Sequence, residues 1–227
     1  AETPFVTMMA QCYSGSFANL IYEGGDPTQP VALQSRCGFF ATVKTRPSVG
    51  CTPLVNEADY RDYSSSFFAG LSGRDRLGTP VESAEYDQNG EVSFAEAHAF
   101  SKVDAETPDW PISTSEAWLQ RQAADAKVTQ ILDQPMRAWL ASARPEQQFV
   151  VSSLGVRLGY NLADSFNGSP VPQARFFSPS QAVLTAYHQR LRMELINIGM
   201  EQAIRNGDAT TAIATLDQLL ACEAGTW

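Results

Sequence analysis

The chain has 227 residues, 44% of them apolar and 18% charged, which is enough apolar surface to bury a core and argues against long disorder. Its 16 basic and 25 acidic residues give a net charge of −9, with no basic cluster, so nucleic acid is not an expected partner. No apolar run reaches the length of a membrane-spanning helix.

In chain order, PFVTMMAQC reads as a buried strand that ends at Cys12. SFANLIYEG has helical spacing, and Gly24-Gly25 stops it. RCGFFATV is a second short apolar run, bounded by Gln34-Ser35 and by the stretch from Lys44 to Pro47. YSSSFFAGLSG then reads as a helix. Strand, helix, strand, helix at this spacing implies a βαβ unit and a parallel sheet. From about Ser113 the pattern turns helical. STSEAWLQRQAADAKVTQIL opens on an N-cap and runs on without Gly or Pro to Pro135. Pro145 suits the first position of a new helix. SPSQAVLTAYHQRLRMELINIGMEQAIRNG sets Leu184, Tyr187, Leu191, Leu195 and Ile198 on one face. Asn206-Gly207 ends it, and Asp208 caps a last helix up to Cys222. FNGSPVPQARFFSPS is a loop.

The four cysteines are Cys12, Cys37, Cys51 and Cys222; there is no Cys-x-x-Cys pair and only two histidines, which disfavours zinc. A cysteine at the carboxyl end of a parallel strand, followed by a turn into a helix, sits at the favoured site edge of an α/β sheet. A helix N-terminus favours the thiolate, and turn N–H groups, those of Cys12 and Gly15 here, hold an oxyanion. The small residues Ser14, Gly15 and Ser16 let a substrate carbonyl approach. A buried core cysteine fits the same spacing.

AQCYSGS resembles the nucleophile segment of the caspase–legumain clan of cysteine peptidases, nearest to bacterial caspase-like proteins. CGFFATV is placed like that family's next strand, DYSSSFFAGL like the following helix, and DQNGEVSFAEAHAF like an insert of the bacterial members. The resemblance covers about residues 4–118. It implies an α/β fold, the second part of a caspase-like parallel-sheet sandwich, over 1–118; the helical pattern of the residues beyond adds an all-helical C-terminal domain over 119–227. It also implies a cysteine endopeptidase in which Cys12 is the nucleophile. Caspases carry their Gln two places before the cysteine, whereas Gln11 is adjacent, so aspartate specificity does not carry over. Thr42 and Val43 are the candidate walls of the specificity pocket, facing a peptide or protein substrate. Arg46 and Arg61 would suit an acidic residue there, Asp59 and Asp62 a basic one.

Such enzymes need a histidine, about 50 residues before the cysteine in caspases. Eleven residues precede Cys12 and none is His. The expectation is therefore a chain that is one part of a longer precursor, with the catalytic His on a missing or separately cleaved N-terminal companion segment. His98 and His188 read as ordinary helix residues, His98 being the better stand-in. The rival reading is a non-catalytic caspase-like domain that binds partners.

Two further expectations concern a metal and a disulfide; no cofactor is otherwise required. Glu85, Asp87, Asn89, Glu91, Ser93 and Glu96 fit the order of a calcium loop, with Gly90 at its sharp turn. The alternative is an Asn89-Gly90 turn into a helix capped by Ser93, with Glu96 reaching back. Cys37 and Cys51 flank a short strand and are either bridged, which implies an extracytoplasmic home, or free and buried.

Overall fold

The computed structural model describes residues 4–32, 34–49, 61–175 and 179–226. Strands β1 (Phe5–Met9) and β2 (Arg36–Phe40) pair in parallel, with Phe5 opposite Arg36 and Met9 opposite Phe40. The parallel pair is the one the strand–helix–strand pattern implies. A two-residue strand β3 (Ile112–Ser113) adds to β2 in the opposite sense, so the sheet is mixed, in the order β1-β2-β3. Nothing in so short a segment signals a strand.

Successive residues of β2 point to opposite faces. Phe39 joins Tyr63, Phe67 and Ala97 on one side, with Val6 and Met8 of β1 packed beside them. This side is covered by α1 (Tyr63–Ser72) and α2 (Phe94–Asp104). Phe40 turns to the other side, where it meets Ala18, Ile112 and Met193. The segment after β1 is not the expected α-helix but a 3-10 helix, Ser14–Ile21. Its entry residue Tyr13 has left-handed φ of 58°, and Ser16 N–H bonds back to Tyr13 O, which tightens the turn.

Helix α3 (Thr114–Gln122) and α4 (Asp125–Leu132) divide the uninterrupted stretch before Pro135. Ala123 and Ala124 are extended between them. Leu119 and Ile131 are both buried in the largest apolar cluster. Helix α5 (Pro145–Leu158) starts on proline as expected. The long α6 (Gln181–Arg205) buries the predicted face and more: Arg190, Glu194 and Asn197 are also inside. Helix α7 (Thr210–Glu223) begins after Ala209 with no side-chain cap, so Asp208 does not serve. The apolar cluster holds Ile21, Tyr22, Ala99 and Val103 together with Leu154, Leu191 and Leu219. It therefore draws on residues from both sides of position 118.

Neither expectation for Cys37, a bridge to Cys51 or a free buried thiol, holds. Cys37, on β2, is bonded to Cys222 on α7, with 6.0 Å between their Cα atoms. Cys51 lies outside the described residues. The pairing comes from tertiary packing, which lays α7 on the end of the sheet, and sequence proximity gave no hint of it.

Candidate functional site

Cys12 is an exposed free thiol three residues beyond the carboxyl end of β1. Its Sγ contacts the carbonyl of Ser48 at 3.6 Å. The Ser48 hydroxyl and the Val49 N–H both donate to the buried Asp109 carboxylate, at 2.9 and 3.0 Å. Burial pushes the Asp109 carboxyl up, and these donors offset part of that. Behind it, Arg190 donates to the carbonyls of Lys102, Ala105, Thr107 and Asp109. Burial lowers this guanidinium to about 10. A buried cation on α6 thus shapes the loop that carries Asp109, which fixes the loop that touches Cys12. The sequence signals for this chain of contacts are scattered over 178 residues, and none was legible.

The turn around the thiol is closed by its own backbone. Tyr13 N–H donates to Arg46 O, Ser14 N–H to Gln11 O and Gly15 N–H to Thr42 O. Gly15 is therefore not an oxyanion donor, contrary to expectation. A Cβ placed on it would lie 2.7 Å from Lys44 N and 2.8 Å from Thr42 O, so its role is to let the 3-10 helix meet the end of β2. Among the described residues the Cys12 N–H has no acceptor, which leaves one donor beside the thiol. Thr42 is fully buried and its backbone exchanges bonds with the Ser14 hydroxyl, so it holds the turn rather than lining a pocket. Val43 does line one, a cavity of about 380 Å³ beside the turn.

Both histidines are engaged elsewhere. Glu116 only accepts, so His98 Nε2 carries the proton toward it, at 3.2 Å, and the Tyr63 hydroxyl donates to Nδ1 at 2.8 Å. Burial, and then the Lys102 charge, hold this imidazole below its ordinary value. Lys102 Nζ also reaches Glu116, and it reaches Glu194 at 2.6 Å. One ammonium between two buried carboxylates cannot balance both. Glu116 has His98 and the Ser113 N–H besides, and is held well below the carboxylate range by Lys102 and His98. Glu194 takes the opposite course and is raised by burial to about 7. His188 is half-buried against Phe166, with the Tyr160 hydroxyl 2.7 Å from its Nδ1, and burial lowers it.

The acidic turn is built as a capped turn. Ser93 and Glu96 form a capping box on α2. One Glu96 oxygen accepts the N–H groups of Tyr86 and Asp87, and the other accepts the Ser93 N–H and hydroxyl. Glu85 accepts from Gly90 N–H, Asp87 from Asn89 N–H and Asn89 from Glu91 N–H. The carboxylate expected to give calcium two oxygens thus has both engaged by the fold. No cluster of three or more acidic, His or Cys side chains placed to hold a metal occurs among the described residues. No helix among them is long and apolar enough to cross a membrane.

No protein-family model, curated protein or solved structure matches this chain.

Proposed function

We propose that this chain is the nucleophile-bearing part of a cysteine endopeptidase of the caspase–legumain kind. The observation that carries the reading is the placement of Cys12: a free, exposed thiol past the carboxyl end of a parallel strand, with its own N–H unengaged among the described residues. In the proposed reaction the Cys12 sulfur attacks a peptide carbonyl and forms a thioester. The developing oxyanion is held by the Cys12 N–H. The leaving amine takes a proton from a histidine, and water then releases the acyl group.

That histidine comes, in this reading, from a companion segment rather than from His98 or His188, which are bound to Glu116 and Tyr160. β1 offers a place for it. Among the described residues the strand forms one edge of the sheet, and its Phe5 is 59% exposed. A strand added there, parallel to β1, would bring its own carboxyl end beside Cys12. The Cys37–Cys222 bond fits an oxidising compartment.

A non-catalytic partner-binding domain is the second reading, favoured by one observation: no base stands within hydrogen-bond reach of the thiol among the described residues. Alkylation separates the nucleophile from an inert thiol. With iodoacetamide at neutral pH, Cys12 is expected to react in the folded protein faster than in the denatured chain. Equal or slower reaction in the folded state would leave the nucleophile reading without support.

A further inference from the structure

The cavity of about 380 Å³ beside the cysteine turn has a charge opposite to that of the molecule. It lies among the 3-10 helix Ser14–Ile21, the turn after β2, α3 and α6. Trp110, Trp118 and Met193 give it apolar walls, and Lys44, Arg121 and Arg192 stand around it. Among the described residues no carboxylate lines it, in a chain with 25 acidic residues and 16 basic ones. Among the described residues none of the three cations has an ion-pair partner within 4.0 Å. Arg121 is the most engaged of them, 5.9 Å from the Tyr22 ring and within reach of the field of the exposed Asp26. A fourth cation, Arg46, sits 4.1 Å from the centroid of the Trp110 ring.

Chance placement on an acidic surface does not favour three cations at one opening with no ion-pair partner among the described residues. Like charges gathered without counterions repel one another, and that cost is offset when an anion binds between them. Guanidinium groups suit a planar or tetrahedral oxyanion because they donate in a fork. The aromatic and thioether walls suit an apolar body, and the volume matches a small organic molecule. Cys12 is not among the lining residues, so the site does not depend on thiol chemistry.

We propose that this cavity binds a small organic oxyanion: a phosphate or carboxylate on an aromatic or similarly flat apolar body. The head group meets Arg121, Arg192 and Lys44, and the body lies against Trp110 and Trp118.

Titration calorimetry on the full chain tests this with phenyl phosphate and phenylacetate as the two oxyanion probes. Inorganic phosphate and benzyl alcohol supply the head group and the body alone. At least one aromatic oxyanion is expected to bind saturably, about tenfold or more tighter than either control. Raising salt should weaken it several-fold. Arg192→Gln is expected to weaken binding about tenfold with an unchanged melting temperature. Should that variant unfold, Lys44→Gln on the exposed turn carries the same test, with a smaller loss. The better of the two probes identifies the head group. Absence of saturable binding by both aromatic oxyanions up to about 10 mM would overturn the proposal, as would equal binding of either control or indifference to loss of the cation.

Discussion

Gly15 shows how a single missing Cβ sets the geometry of the proposed site. The atoms that a side chain would strike are backbone atoms of Thr42, Val43 and Lys44, which cannot rotate away. Gly15→Ala is therefore expected to destabilise the fold by roughly 2–4 kcal/mol, measured by denaturant unfolding. Glu96 works through hydrogen bonds instead. Its side chain takes four donors, three of them backbone N–H groups, and Glu96→Ala leaves them without a partner. A loss of roughly 2–4 kcal/mol is expected, the same with or without calcium. Glu194 carries the pH dependence. Its folded value, about 7 against an ordinary 4.5, is raised by burial, so the folded state binds the proton more tightly than the unfolded chain. The stabilisation is complete below the ordinary value and is lost as pH rises through about 7. Glu194→Gln keeps the shape without the titration. Relative to it, the parent chain should lose about 2–3 kcal/mol between pH 5 and pH 8, with the two curves parallel below pH 4.5.

At the scale of elements, α7 is fastened to the sheet twice. Cys222 is bonded to Cys37 on β2, and the neighbouring Glu223 takes the hydroxyls of Ser113, Thr114 and Ser115 with the Ser115 N–H. Burial raises this carboxyl, and the donors at the start of α3 offset part of that. The bond closes a separation of 185 residues, so reduction should cost roughly 2–5 kcal/mol, read as a fall in melting temperature in the presence of a thiol reductant. Much of this layer was legible before the structure. The short apolar run RCGFFATV marked β2, Pro145 marked the start of α5, and the spacing of Leu184, Tyr187 and Leu191 marked the buried face of α6. The break at Ala123-Ala124, the strand at Ile112 and the partner of Cys37 were not. Each is decided by what packs against it from elsewhere in the chain, and no local residue type announces it.

At the scale of the whole molecule, the position of Cys12 at the sheet's carboxyl edge was legible because it depends on one strand and one turn. The loop that touches its sulfur was not, because Ser48, Asp109 and Arg190 meet only in the folded chain. The central claim is that this chain supplies the nucleophile and another segment supplies the base. The p-nitrophenolate of an activated ester leaves without taking up a proton, whereas the amine of a peptide must be protonated to leave. The most direct measurement compares the chain with Cys12→Ala on p-nitrophenyl acetate and on a fluorogenic peptide set. The account predicts a Cys12-dependent burst of p-nitrophenol approaching one per chain, with no peptide cleavage above the variant. Cys12-dependent peptide cleavage by the chain alone would contradict the external base, and absence of the ester burst would contradict the nucleophile itself.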